Sequence, residues 1–376
     1  MRTPLVQPAA PIPTATASEF MVTFAIVLAA ILGLLLFDTA LARVDIRERK
    51  VFAAREFAAG QDLMKAGKTR DAIDHLRAAT SLSPDNPAYV TALSGAILAD
   101  GRADDARMLL SPLLERDPKN GPANLAMAHV MEKIGKIDDA KAYYHSAIYA
   151  TWPPAEANRR LAARFELIDL LSRTNARQEL LAELLPIQDD STNDGDHRKL
   201  IAHLFVQAGS PARAVTIFRD FLRKNPGDVD AYVGLADAAL SLGDLATGRT
   251  DLLAAQKLTP DSTSMKSRIA VIDSAIAMDP TQSGLSLAEQ MRRSRNLLQL
   301  TVDAVRKCLG AQAPDVAPAL DSTRLMLLSH APADGQAQAI EQTISVAVQL
   351  WGLRRSRCEP GPDNTALALV HNRIRQ

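Results

Sequence analysis

The chain has 376 residues, with 43 lysines and arginines balanced by 43 aspartates and glutamates. A net charge of zero argues against a basic nucleic-acid binder, and 47% hydrophobic residues exclude a disordered chain. Aromatic residues make up only 4%, so the core must be built mainly from alanine, leucine, isoleucine and valine. Two cysteines exclude a disulfide-dense scaffold and a four-cysteine metal site. At about 150 residues per domain, this length predicts two or three domains or one long repeat array.

The first apolar segment is long enough to cross a membrane. Residues 20–37 contain no charged residue, and after Asp38 the apolar run continues to residue 42. A membrane-spanning helix needs about 20 apolar residues, so we predict one transmembrane helix over residues 20–42. The preceding residues 1–19 are rich in proline and alanine and are expected to form a flexible arm.

Two other interpretations of this segment are weaker. A buried central helix would also be apolar all round, but a flexible arm directly beside it argues against that position. A cleaved signal peptide would fit the small-x-small pattern of Ala40-Leu41-Ala42. The apolar run, however, exceeds the roughly 7–15 residues of a signal-peptide core. We therefore prefer an uncleaved anchor.

Two signals disagree about the orientation of this anchor. Five cations follow the span between residues 43 and 55, whereas the arm contains Arg2 alone. The positive-inside rule therefore places the body of the chain in the cytoplasm. The small-x-small pattern and a candidate disulfide near the C-terminus indicate export instead. We favour the extracytoplasmic side of a bacterial inner membrane and leave the orientation open.

Beyond residue 52 the sequence repeats with a period of 34 residues. Gly67, Gly101 and Gly135 follow one another at this step, and Gly209 and Gly243 resume it. Within each unit, small and apolar residues recur at spacings of three and four, which is typical of one helix face. A glycine between two such stretches suits the left-handed residue that ends a helix. Each unit is therefore predicted to contain a helix, a turn and a second helix.

This pattern resembles the tetratricopeptide repeat, a 34-residue helix-turn-helix unit. The resemblance implies an all-α fold, a right-handed α-solenoid of about six units over residues 43–262, because helix pairs bury their apolar faces only by stacking. The units lie near residues 53–86, 87–120, 121–154, 155–190, 195–228 and 229–262, and the fourth has Asn175 where the others have glycine. The family's small, alanine and proline positions, expected to contribute to repeat packing, are Gly60, Ala72, Pro84, Ala106, Pro118, Ala128, Ala140, Ala202, Ala214, Pro226, Ala236 and Pro260. Pro84 is also expected to end the second helix of its unit.

The repeat phase weakens after Pro260, and residues 263–376 are expected to form a helical cap. Ser286 followed by Glu289 is a capping box that predicts a long helix ending near residue 309. A proline-containing linker, a helix over about 334–354 and a short helix over about 365–374 follow. Cys308 and Cys358 each lie after a basic helix end, where they form either one disulfide or two separate buried thiols.

No sequence pattern indicates catalytic or metal-binding chemistry. The seven histidines lie outside any His-Glu-x-x-His spacing, and no cysteine pair with metal-site spacing is present. Glycine-rich phosphate loops and a Gly-x-Ser-x-Gly motif are also missing from the sequence. We therefore predict a protein that is not an enzyme and that uses no cofactor and no metal.

In the tetratricopeptide family, the first helices of successive units line a concave groove that binds peptides or partner helices. This implies protein partners and no nucleic acid, with self-association possible. The chain's residues at groove positions are Phe57, Gln61, Met64, Leu125, His129, Glu132, Lys133, Lys199, His203, Asp230 and Asp237. Parts of this surface could instead pack on the C-terminal region and bind nothing.

The predicted function is a non-enzymatic, membrane-anchored scaffold that binds proteins through its groove. The alternative is a structural subunit of a larger envelope or secretion complex. In that case the transmembrane helix itself would be an interface, because Ala29, Ala30 and Gly33 permit close packing with another helix.

Overall fold

The computed structural model describes residues 17–188, 195–310, 317–328, 335–358 and 365–375. Within these ranges the protein is all-α, as predicted, and contains no β-strand. The chain divides into two compact units, Met1–Leu167 and Ile168–Gln376. The predicted flexible arm falls mainly on residues 1–16, which lie outside the described residues.

Within residues 17–148 and 195–278, consecutive helices are joined by three or four residues. The first unit contains α1 (Ala17–Lys65), α2 (Thr69–Leu82), α3 (Pro87–Ala99), α4 (Ala103–Arg116), α5 (Gly121–Lys133), α6 (Ile137–Ile148) and the start of α7 (Arg159–Arg173). The second unit continues with α8 (Arg177–Leu184), α9 (Gly195–Gln207), α10 (Pro211–Lys224), α11 (Val229–Ser241), α12 (Leu245–Leu258), α13 (Thr263–Met278), α14 (Leu287–Leu309), α15 (Ala317–Leu328), α16 (Gln336–Arg357) and α17 (Ala366–Ile374).

A left-handed residue ends the first helix of each pair. Gly67 has φ 73°, and Asn175 in the irregular fourth unit has φ 54°, so asparagine takes the role of glycine there. After Gly67, the Lys68 N–H donates to the Leu63 carbonyl at 2.9 Å, which is the six-residue bond of a Schellman motif. This turn reverses the chain, so that α2 returns along α1.

Small residues allow the two helices of each pair to approach closely. A Cβ atom added at Gly60 would lie 2.6 Å from Leu76 Cγ, so only glycine fits at that point. The alanines predicted at these contacts are fully buried, namely Ala72, Ala106, Ala128, Ala140, Ala202, Ala214 and Ala236.

The prolines predicted at the same contacts behave differently. Pro84, Pro118, Pro226 and Pro260 are exposed, and each lies two residues beyond the end of α2, α4, α10 or α12. Their exposure contradicts the expected role in packing, whereas the expectation that Pro84 ends the second helix of its unit agrees with the structure. Proline disfavours helical geometry in the residue before it, so these prolines stop the second helix of each unit.

Helix α1 joins the predicted transmembrane segment to the first repeat without a break. Its 49 residues would extend about 73 Å at 1.5 Å per residue. Residues 24–65 are long and apolar enough to include a membrane span by length and composition, although a signal sequence meets the same criterion. The predicted boundary near residue 42 is thus not a helix end.

The C-terminal helices share one hydrophobic core with the sixth repeat. Leu252 of α12, Ile272 of α13, Leu297 of α14, Leu350 of α16 and Val370 of α17 all belong to it. Because the cluster is continuous, α13–α17 cover the apolar side that the last repeat would otherwise expose to water.

Two predicted details of this region can be compared with the structure. Ser286 caps α14 as predicted, because its hydroxyl accepts a hydrogen bond from the Glu289 N–H at 3.2 Å. The Glu289 carboxylate, which a full capping box would direct back to Ser286, instead accepts hydrogen bonds from Arg292 and Arg293. The predicted linker, however, contains helix α15. Pro318 is its second residue, where the first turn of a helix tolerates proline because that N–H needs no helical acceptor.

A disulfide joins Cys308 to Cys358, with their Cα atoms 6.3 Å apart. The two cysteines lie at the C-terminal ends of α14 and α16 and are 50 residues apart in sequence. The structure therefore presents one covalent link between two adjacent helix ends rather than two separate buried thiols.

Candidate protein-binding groove

Helices α1, α3 and α5 contact one another in succession, and they carry residues at the family's groove positions. We call the surface at these positions the first-unit groove; it includes Phe57, Met64, Thr91, Gly95, Leu98 and His129. Its centre is bare, because Gly95 is exposed and a Cβ atom added there would meet nothing within 4 Å. A side chain from a partner could approach the α3 backbone at this point without displacing any group of the protein.

One edge of the first-unit groove is aromatic and apolar. The rings of Phe57 and Tyr89 are 4.7 Å apart between centroids and tilted by 37°. Phe57 and Met64 are both half-buried, while Gln61 between them is exposed. This edge therefore offers partly solvated apolar surface with one amide able to donate and accept hydrogen bonds.

The opposite edge is polar and held by contacts between helices. The His129 imidazole on α5 pairs with the Glu166 carboxylate on α7. The Tyr144 hydroxyl donates a hydrogen bond to Glu132 at 3.1 Å, and the neighbouring Lys133 is exposed. These contacts fix the positions of the polar groups before any partner binds.

Leu125 does not line this surface. Its side chain is only 2% exposed, so it contributes to the core of the first unit rather than to a binding face. The prediction that Leu125 contacts a partner is wrong, because the buried side chain has almost no surface left for another molecule. Burial in the core is favourable for a leucine side chain, which accounts for this position.

In the second unit, the predicted groove residues form an ion-pair network between α9 and α11. Lys199 Nζ lies 3.0 Å from Asp228, 3.5 Å from Asp196 and 3.7 Å from Asp230. The His203 ring nitrogen Nε2 also lies 3.7 Å from Asp230. The predicted residues Lys199 and His203 thus both lie near the predicted Asp230, and the charge of Lys199 is balanced by carboxylates within the protein.

These contacts shift the pKa values of the paired groups. The hydrogen bond to Asp228 raises the pKa of Lys199 above its ordinary value, since it stabilises the charged amine. Burial opposes ionisation of Asp228, but hydrogen bonds from the Ala231 N–H and from Lys199 still lower its pKa. Burial raises the pKa of Asp237 even though Arg268 of α13 pairs with its carboxylate.

The same arrangement recurs along the array. A pair links α5 to α7, another links α9 to α11, and Asp237–Arg268 links α11 to α13. The partners Glu166, Asp228 and Arg268 were not predicted from the sequence, although each lies about one repeat away from the residue it contacts. They could have been identified by searching the first helix of the next repeat, about 34 residues later, for a residue of complementary charge on the corresponding face.

The described part of the chain contains no group of three histidine, cysteine, aspartate or glutamate residues placed to hold a metal ion. Polar groups on α5 are instead paired with neighbouring helices, His129 with Glu166 and Glu132 with Tyr144. Chemically, the first-unit groove can bury apolar side chains and form a few directed hydrogen bonds.

Comparison with known proteins agrees with this architecture. Family profiles described as tetratricopeptide repeat match residues 57–121, 97–151 and 200–263. The chain carries tetratricopeptide repeats. The matched segments include helices of both compact units, and repeats of this type are typically protein-interaction scaffolds rather than catalytic domains.

The repeat array is similar to parts of several known proteins. It is 24% identical over 218 residues to DnaJ homolog subfamily C member 3 of Gallus gallus, covering 55% of this chain and 43% of that protein. The chain therefore spans less than half the length of the curated relatives it matches.

Two solved structures are similar to parts of this chain at low sequence identity. Pseudomonas aeruginosa PilF is 14% identical, with a TM-score of 0.42, over 59% of this chain and 99% of that one. YrrB, described as a TPR protein with an unusual peptide-binding site, is 15% identical with a TM-score of 0.40, over 51% and 96% of the two chains.

Proposed function

We propose that this protein is a non-enzymatic, membrane-anchored scaffold that binds a segment of a partner protein in the first-unit groove. The bare surface at Gly95, between the aromatic edge at Phe57 and the polar edge at His129, is the observation that carries this proposal. A preorganised groove of this kind loses little conformational freedom when it binds.

The groove chemistry favours a partner helix or extended segment with one apolar face. Partly exposed Phe57, Met64 and Leu98 would be covered by apolar side chains, and the open position at Gly95 would accept the bulkiest of them. Gln61 and Lys133 are exposed at the margins and can form hydrogen bonds to the partner's backbone or carboxylates.

The anchor in this proposal is the N-terminal half of α1, inserted as an uncleaved single span over residues 20–42. The apolar side chains described between residues 21 and 39 are exposed, and water is an unfavourable environment for them. We place the repeats on the extracytoplasmic side of a bacterial inner membrane, because the Cys308–Cys358 disulfide would be stable in an oxidising compartment.

Photo-crosslinking from the groove in intact cells tests this function. A crosslinking amino acid at Gln61 should capture a defined partner, and adding Gly95→Leu should abolish that capture by filling the groove. Gly352→Leu is the matched control, because Gly352 is also exposed within a helix and a Cβ atom there also meets nothing within 4 Å. Equal capture by wild type and Gly95→Leu would refute binding in this groove.

A structural subunit of a larger envelope or secretion complex is the second candidate. It is supported by Gly33, which is exposed on α1 with nothing within 4 Å of an added Cβ atom, so that another helix could approach closely there. Gly33→Leu should then dissociate a complex seen on native gels in mild detergent. Migration of the wild-type protein at the mass of a monomer would count against this candidate.

A further inference from the structure

The part of α1 between the proposed span and the first repeat carries cations on one face. Residues 43–52 are exposed on all sides, and Arg43, Arg47 and Lys50 occur at spacings of four and three. These three residues, called the basic stripe below, lie within about 60° of one another around the helix axis. Arg49 lies on a different face and pairs with Asp45 at 2.9 Å.

The acidic residues of this segment lie away from the basic stripe. Asp45 forms an ion pair with Arg49. Glu48 lies about 100° around the helix axis from Arg47. The stripe is therefore a continuous, positively charged surface, about 10 Å long, with no carboxylate of α1 on the same face.

The basic stripe lies on the same side of α1 as the residues that α1 contributes to the first-unit groove. Helix α1 is unbroken, so rotation around its axis can be counted from one region to the other. Gln61 follows Arg43 by five full turns, and Phe57 lies within about 40° of the same direction. The stripe and the groove positions of the first repeat thus lie on one side of a single rigid helix.

The distance from the proposed span determines what the basic stripe can reach. The basic stripe begins directly after residue 42, the end of the proposed span. At a rise of 1.5 Å per residue, it ends about 12 Å from residue 42 along the helix axis. The polar headgroup layer is about 5–7 Å thick on each side of a bilayer, and long cationic side chains can reach back towards it. Each cation near an anionic membrane surface increases association by about fivefold.

We propose that the basic stripe binds anionic lipid headgroups and thereby tilts the groove of the first repeat towards the bilayer. This inference rests on the proposed membrane anchor. Attraction acts on one side of a rigid helix, so α1 leans in the direction of Arg43, Arg47 and Lys50. The groove side, which has the same phase, leans with it, and a bound partner segment is held near the membrane surface.

The test uses the full chain in bilayer nanodiscs containing phosphatidylcholine and phosphatidylglycerol. Lipids retained by the protein after gentle detergent exchange are counted by native mass spectrometry. The wild type should retain phosphatidylglycerol over phosphatidylcholine about threefold or more beyond the bulk ratio, and the triple variant R43Q/R47Q/K50Q should lose this preference. The matched control K119Q/K257Q/K266Q removes three exposed cations of the repeats and C-terminal helices and should keep it.

A second measurement reports the tilt. A fluorophore attached at Gln61→Cys, with both native cysteines in the disulfide, should be quenched more by headgroup-labelled lipids when phosphatidylglycerol is present. This difference should vanish in the triple variant.

Three results would overturn the inference. One is equal phosphatidylglycerol retention by the wild type and the triple variant, and another is an equal loss in the control. The third is loss of a co-purified acidic protein without loss of lipid, which would assign the stripe to a protein partner. Failure of the anchor itself is distinguishable, because alkaline carbonate would then release the full chain from membranes.

Discussion

Acidification should loosen the C-terminal helices through a single buried histidine. The His371 side chain on α17 is 1% exposed, and its ring stacks on Trp351 with centroids 4.7 Å apart. The Thr301 hydroxyl donates to the Leu297 carbonyl at 2.7 Å, so its oxygen accepts the Nε2–H of His371 at 2.8 Å. Protonation would add an N–H at Nδ1, which has no hydrogen-bond partner.

Burial lowers the pKa of His371 from 6.5 to about 3. The unfolded chain therefore binds a proton at a higher pH than the folded chain does. The stability contributed by the neutral ring is complete above pH 6.5 and is lost as the pH falls towards 3. At 1.36 kcal/mol per pH unit, lowering the pH from 7 to 5 should cost about 2 kcal/mol through His371 alone.

Urea unfolding monitored by Trp351 fluorescence measures this loss. Trp152→Phe makes Trp351 the only tryptophan, and His371→Gln in the same background supplies a side chain that does not titrate. Carboxylates titrate in both proteins, so their contribution cancels in the difference. If the free energy of unfolding changes equally in both proteins between pH 7 and pH 5, the histidine is not the sensitive group.

Further predictions concern packing and covalent links. Gly95→Ala should stabilise the first unit by up to about 1 kcal/mol, whereas Gly60→Ala should destabilise it by about 1–3 kcal/mol, as measured by thermal unfolding. Arg373→Met should cost about 3–5 kcal/mol and increase hydrogen exchange in α17, because Arg373 lies 2.8 Å from the fully buried Asp279 carboxylate. Replacing both cysteines by serine should cost up to about 4 kcal/mol, and a reductant should then have no further effect on unfolding.

The repeat architecture was predictable because its cause is local. A glycine every 34 residues marks the left-handed turn, and Asn175 supplies the same backbone geometry in the irregular unit. The buried alanines follow from the same register, since they lie where two helices approach. The cap at Ser286 was also predictable, because it bonds to the first turn of its own helix.

The groove was harder to predict because its properties depend on neighbouring repeats. The presence of His129 or Asp237 on one helix does not reveal Glu166 or Arg268 on another, although those partners decide whether the side chain is available to bind a ligand. Leu125 likewise occupies a groove position in the register but is buried in the folded unit. Local rules therefore located the helix faces, while long-range contacts determined which residues on those faces remain accessible.

The continuity of α1 also has a mechanical consequence. A helix without a hinge transmits torsion, so turning its apolar end about the axis by any angle turns Phe57 and Gln61 by nearly the same angle. A flexible linker would let the first repeat explore a wide volume and would decouple it from the apolar segment. Here the first repeat follows the N-terminal part of α1 directly, and a partner that rotates or tilts that part changes the direction in which the first-unit groove opens.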